Sequence, residues 1–182
     1  AEFGIRWHPF QLAPNLPPEG QSIADYGRER YGATPEQSAA NRTRIQDAGA
    51  PLGLEFNYSA NSRIYNTRTA HKLLTWAGEK GGQTALKLAL FHAYFKDQLN
   101  IADEDVLLNI VEKTGLDRAA AALARKDPHY DEVVDAELHH WQMQNITGVP
   151  AFIVNGKYMI PGAQDVETFV RVLGRILEKE AA

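Results

Sequence analysis

Strand signals are confined to the two ends of this chain, and almost everything between them carries helical signals. At the start, Phe3, Ile5 and Trp7 alternate with Gly4, Arg6 and His8, the pattern of a strand with one buried side. Near the end, residues 149–154 form a short apolar run suited to a buried strand. Asn155-Gly156 is the favoured pair of a two-residue type I′ hairpin turn, and residues 157–160 return as the second strand. Pro161-Gly162 then breaks the hairpin, and Val166, Phe169, Val170, Leu173, Ile176 and Leu177 fall on one face of a closing helix. Strands at both ends with helices between them predict an α/β fold in which residues 1–19 and 146–182 build a sheet domain. Residues 20–145 are then a helical insertion that packs on the sheet rather than a free domain, with crossings at residues 14–20 and 147–150.

The helical block is punctuated by caps. Pro14, Pro17 and Pro18 keep residues 11–20 out of helix and ladder, so the chain leaves the first strand through an extended loop. Thr34, Pro35 and Gln37 supply a capping hydroxyl, a proline at the first helical position and the third-position glutamine of a capping box, which predicts a helix over residues 35–48. Asn66 and Thr67 can cap the next helix, which carries Ala70, Leu73, Leu74 and Ala77 and stops at Gly81-Gly82. Residues 85–91 are apolar nearly all round, the mark of a helix packed on several sides. Further helices are predicted over residues 104–113, 117–125 and 128–144.

Composition excludes several kinds of chemistry. The 182 residues contain no cysteine, so these residues by themselves offer no thiolate nucleophile, disulfide or thiolate metal site. The six histidines form no spaced metal motif, and neither a metal nor an organic cofactor is expected. A formal net charge of −4 with no basic stripe argues against a nucleic-acid partner. No apolar run approaches the ~20 residues that span a bilayer, so no membrane partner is expected and the expected location is the cytoplasm.

Four blocks in order carry a family resemblance: residues 6–12 (RWHPFQL) with 17–20 (PPEG), residues 66–73 (NTRTAHKL), residues 89–95 (ALFHAYF), and residues 147–162 opening on TGVP. Together they resemble FrnE-type members of the DsbA family, dithiol–disulfide oxidoreductases on a thioredoxin-like fold with a large all-helical insertion, an architecture that kappa-class transferases share. The resemblance implies a strand and a C-x-x-C pair at a helix start, expected upstream of Ala1. It also implies exchange of disulfides with protein or peptide thiols, or with glutathione. These residues alone are then redox-inactive, and the slot left for the upstream strand is filled by that strand or by one donated from another chain.

The resemblance further implies that Pro150 is a cis-proline shielding the cysteine pair, that Val149 aligns the substrate backbone beside Thr147, and that Phe10, Asn66 and Thr67 line the cleft. Each has a plainer reading. Thr147-Gly148-Val149-Pro150 also fits an ordinary loop before a strand, and capping alone accounts for Asn66 and Thr67. His71 reads as a hydrogen-bonded core histidine, His8 as an exposed one and His139-His140 as a solvated helix face, while Trp7, Trp76 and Trp141 read as packing residues. Two other functions stay open: a glutathione-dependent isomerase or transferase of the kappa-class or 2-hydroxychromene-2-carboxylate isomerase type, with serine in place of the first cysteine, and a redox-dead peptide-binding or chaperone-like module.

Overall fold

The computed structural model describes residues 2–181. The chain divides into two compact units, residues 1–137 and 138–182. The first unit begins with an extended segment without ladder partners. After it come β1 (Gln21–Ser22), α1 (Ile23–Tyr31), α2 (Pro35–Gly49), β2 (Arg63–Ile64), α3 (Arg68–Glu79), α4 (Gln83–Phe91), α5 (Glu104–Lys113), α6 (Arg118–Ala124) and the first turns of α7 (Pro128–Met143). The second unit holds β3 (Ala151–Val154), β4 (Tyr158–Pro161) and α8 (Val166–Glu180).

Local chemistry sets the helix boundaries. The Thr34 hydroxyl accepts from the Gln37 amide while the Gln37 side chain accepts from the Thr34 amide, closing the capping box of α2. Asp103, Asp117 and Asp165 cap α5, α6 and α8 one-sidedly, each carboxylate accepting from an amide three residues on. The core of the first unit lies where α3, α4, α5 and α6 meet, with Leu73, Leu86, Leu107 and Val111 all but sealed from solvent. Each such side chain contributes about 1.5–3 kcal/mol through burial.

Three expectations need correction. Residues 3–8 form no strand: the alternation is present, but a ladder needs a second backbone alongside, and among the described residues none pairs with this segment. Phe3 and Ile5 accordingly stand 50% and 67% exposed. Helix α4 is not covered on all sides, since Leu86 and Leu90 are buried while Leu88 and Phe91 are exposed; its apolar residues run further round than the neighbouring helices reach. The hairpin turn has Asn155 and Gly156 at φ +52° and +66° and a Lys157 N–H to Val154 C=O bond of 3.1 Å. The register pairs Val154 with Tyr158, so Lys157 also lies outside the ladder and the loop is one residue longer than the sequence pattern implies.

Candidate functional site

Residues 7–14 lie along the helical unit as a strap, held by side chains where a strand would be held by backbone. The Gln83 carboxamide acts as a surrogate strand: its Oε1 accepts from the Trp7 N–H and its Nε2 donates to the Trp7 carbonyl, both at 3.0 Å. The Trp7 indole N–H donates to Thr84 Oγ1 at 3.0 Å, and its ring meets Phe91 edge-on with centroids 6.4 Å apart. Lys87 Nζ sits 4.6 Å from the Phe91 centroid and 5.7 Å from that of Trp7. Burial lowers the pKa of this lysine.

Further along the strap, His71 Nε2 lies 3.1 Å from the Phe10 carbonyl. A carbonyl only accepts, so Nε2 carries the proton, and a neutral His71 is the Nε2–H tautomer. Burial, with smaller contributions from the charges of Lys87 and Arg68, pulls its pKa down to about 4 against the opposing effect of the Phe10 bond. The ring is therefore uncharged at neutral pH. Tyr26 donates to the Leu12 carbonyl at 3.3 Å.

Asn66 is the junction of this region. Its Oδ1 accepts from the Arg68 amide at 2.8 Å, which caps the start of α3, and from Gln11 Nε2 at 3.2 Å; its Nδ2 donates to the Pro14 carbonyl at 2.7 Å. Thr67, expected to share the capping, contributes its carbonyl to the His71 amide, and no side-chain bond caps the helix from it. One turn on, Arg68 and the buried Lys72 reach α7: Lys72 Nζ bonds Asp131 Oδ2 at 2.5 Å, and Arg68 pairs with both Asp131 and Asp135. The bond from Lys72 is the largest influence lowering the Asp131 pKa, and the bond from Arg68 does the same for Asp135.

Of Phe10, Asn66 and Thr67, which the sequence singles out, the fold brings Asn66 against the strap that carries Phe10. Sequence reasoning missed Gln83, whose role depends on Trp7 lying against α4, a pairing 76 residues apart that no local pattern announces. His8 is exposed as expected and bonds Glu137 at 2.8 Å, and Arg6 reaches the same carboxylate at 2.6 Å. A cleft of about 510 Å³ beside this pair is lined by Ile5, Trp7, Thr75, Glu79, Gln83 and Glu137, among others. Among the described residues no group of His, Asp and Glu is arranged to hold a metal ion.

In the second unit, Thr147, Val149 and Pro150 stand on the exposed loop that enters β3. The Val149–Pro150 peptide bond is cis. The Pro150 carbonyl accepts from the Gly162 N–H at 2.8 Å, which ties the loop to the far end of the hairpin. Val149 is 50% exposed. No helix among the described residues is long and apolar enough to cross a membrane.

Comparison with known proteins agrees with this arrangement. The model of the DsbA-like thioredoxin domain matches residues 1–174. The chain is 29% identical over 170 residues to the uncharacterized protein YwbO of Bacillus subtilis, covering 93% of this chain and 80% of that protein. It superposes with a TM-score of 0.85 and 27% identity on a probable DsbA oxidoreductase of Streptomyces coelicolor, over 91% of this chain and 72% of that one. A 2-hydroxychromene-2-carboxylate isomerase shares the fold, with a TM-score of 0.66 and 18% identity over 91% of this chain and 80% of the isomerase. An extended strap, a helical block and a closing hairpin with its helix, matched along nearly the whole sequence, mark the chain as a member of the DsbA-like thioredoxin domain family.

Proposed function

We propose that the full-length protein is a thiol–disulfide oxidoreductase that exchanges disulfides with protein or peptide thiols. The observation that carries this reading is the match to the DsbA-like thioredoxin domain over residues 1–174, supported by the similarity to a probable DsbA oxidoreductase. In this proposal the reactive pair is a C-x-x-C at a helix start of the full-length protein, outside the cysteine-free residues 1–182. There the positive end of the helix favours the thiolate that attacks a substrate disulfide, and the second cysteine resolves the mixed disulfide.

In this reading the chain supplies the substrate-facing surface. Pro150 covers the cysteine pair and Val149 and Thr147 present backbone to the substrate, while Phe10 and Asn66 are the substrate-lining residues of the first unit, Asn66 lying within the helical insertion, residues 20–145. His71 holds Phe10 in place as a neutral donor: its Nε2–H is engaged by the Phe10 carbonyl, and burial, which lowers its pKa to about 4, makes the ring a weak base. The expected location is the cytoplasm.

The test is insulin reduction by the full-length protein with dithiothreitol as the electron source. Turnover lost on replacing either cysteine by serine supports the proposal. Absence of turnover in the wild-type protein, with glutathione-dependent isomerisation of a chromene carboxylate in its place, refutes it.

A further inference from the structure

Lys87 on α4 is a half-buried ammonium with aromatic neighbours and no acceptor. Its Nζ lies 4.6 Å from the Phe91 centroid and 5.7 Å from that of Trp7. Among the described residues no carboxylate, carbonyl or hydroxyl takes a hydrogen bond from it. Other cations of the same unit are provided for: Lys72 meets Asp131, Arg68 meets Asp131 and Asp135, and Arg125 meets Glu104. The Lys87 amine is nonetheless not sealed, because Nζ keeps contact with solvent.

An ammonium carries three N–H donors and is strongly hydrated in water. The two ring faces attract its charge but offer no lone pair, so partial burial leaves the donors poorly satisfied. The lowered pKa of Lys87 has the same origin in burial. Chemistry that removes donors and keeps the positive charge over the rings is therefore favoured at this position. Condensation with an aldehyde does both. A C=N bond forms, the aldehyde C=O bond breaks, and the oxygen leaves as water with two of the three ammonium hydrogens. The product is a protonated imine with one N–H and the original charge, and no oxidant or reductant is consumed. An acyl donor would instead leave a neutral amide, and carbon dioxide an anion beside two negative ring faces.

The surroundings also offer a place for the body of such a molecule. Thr84, Lys87, Leu88 and Phe91 follow the i, i+3, i+4, i+7 spacing of one helix face. Thr84 is exposed, and Leu88 and Phe91 are 56% and 39% exposed, so an apolar surface reachable from solvent flanks the amine. We propose that Lys87 is a covalent capture site for small aldehydes with an apolar or aromatic body, held as a protonated imine against Trp7 and Phe91. The reaction uses no cysteine, so it is independent of the proposed disulfide exchange.

The experiment treats the full-length protein at pH 7 with benzaldehyde and sodium cyanoborohydride, which reduces an imine to a stable benzylamine and leaves thiol adducts untrapped. Peptide mass spectrometry compares early benzylation at Lys87 with that at the exposed Lys80 and Lys113. Lys87 should be labelled at least about fivefold faster than either, the effect of relieving poorly satisfied donors. Thr84→Glu places a carboxylate three residues before Lys87 on the same face, where it can accept from the ammonium, and should bring the ratio to within about twofold of unity. Equal labelling of the three lysines in the wild-type protein overturns the proposal, as does a folded Thr84→Glu protein that keeps the wild-type ratio. The wild-type ratio decides by itself should that variant not fold.

Discussion

Replacing His71 by glutamine should remove a specific part of the acid sensitivity of the folded chain. In the native state burial is the main force lowering the His71 pKa, to about 4 from its ordinary 6.5, whereas in the unfolded chain the ring titrates near that ordinary value. The depressed pKa means that the unfolded state takes up a proton first as pH falls. The stability is therefore fully present above pH 6.5, declines below it, and is lost by the time pH falls through 4. A shift of this size corresponds to about 3 kcal/mol in total, of which about 2 kcal/mol disappears between pH 7 and pH 5. That window separates His71 from the lowered carboxylates Asp131, Asp135 and Glu137, whose contributions are lost in the same direction but mainly below their ordinary values of 3.8 and 4.5. Urea unfolding at pH 7 and pH 5 measures the difference. His71→Gln keeps an N–H that can reach the Phe10 carbonyl but does not titrate, so its stability should change with pH by about 2 kcal/mol less than that of wild type over this interval. Equal pH dependence in the two proteins, or an NMR titration placing the His71 ring above pH 6, would refute the argument.

Leu86→Ala should cost about 2–5 kcal/mol, because the side chain is fully buried in the helical core, while Leu88→Ala two residues on, at 56% exposure, should stay within about 0.5 kcal/mol; thermal melts of the two variants decide it. Asp131→Ala leaves the buried Lys72 ammonium without its carboxylate and should cost about 2 kcal/mol in urea unfolding, a loss that Lys72→Met made in the same protein should largely recover. Gly156→Ala, at φ +66° in the hairpin turn with open space around it, should cost about 1 kcal/mol through backbone strain alone, and a larger loss in the melt would show that the turn makes contacts absent from this structure.

The parts of the fold that were readable in the sequence are those written into neighbouring residues. Thr34, Pro35 and Gln37 announce the start of α2, and Asp117 and Gly115 mark the boundaries between α5 and α6, because a cap is a bond between groups three residues apart. The pattern Val166, Phe169, Val170, Leu173, Ile176 and Leu177 lies within α8 for the same reason of short range. Helix α1 and the two short strands were not announced: β1 and β2 are two residues each and pair across 40 intervening positions or more, too little chain to show an alternation.

The candidate site divides in the same way. Asn66 looked like a cap and is one, but a single amide can satisfy a helix end and also hold Gln11 and Pro14, and the second task depends on where the strap lies. His71 could be read as a buried, bonded histidine, whereas its tautomer and lowered pKa follow from the Phe10 carbonyl 61 residues away and from the packing that excludes water. The sequence by itself determined the helices other than α1, the hairpin and the family, since local propensity, capping and motif order are properties of consecutive residues. Only the tertiary structure decided that Phe3–Trp7 has no ladder and that Gln83 stands in for its missing partner, because strand pairing and charge burial belong to groups brought together from distant parts of the chain.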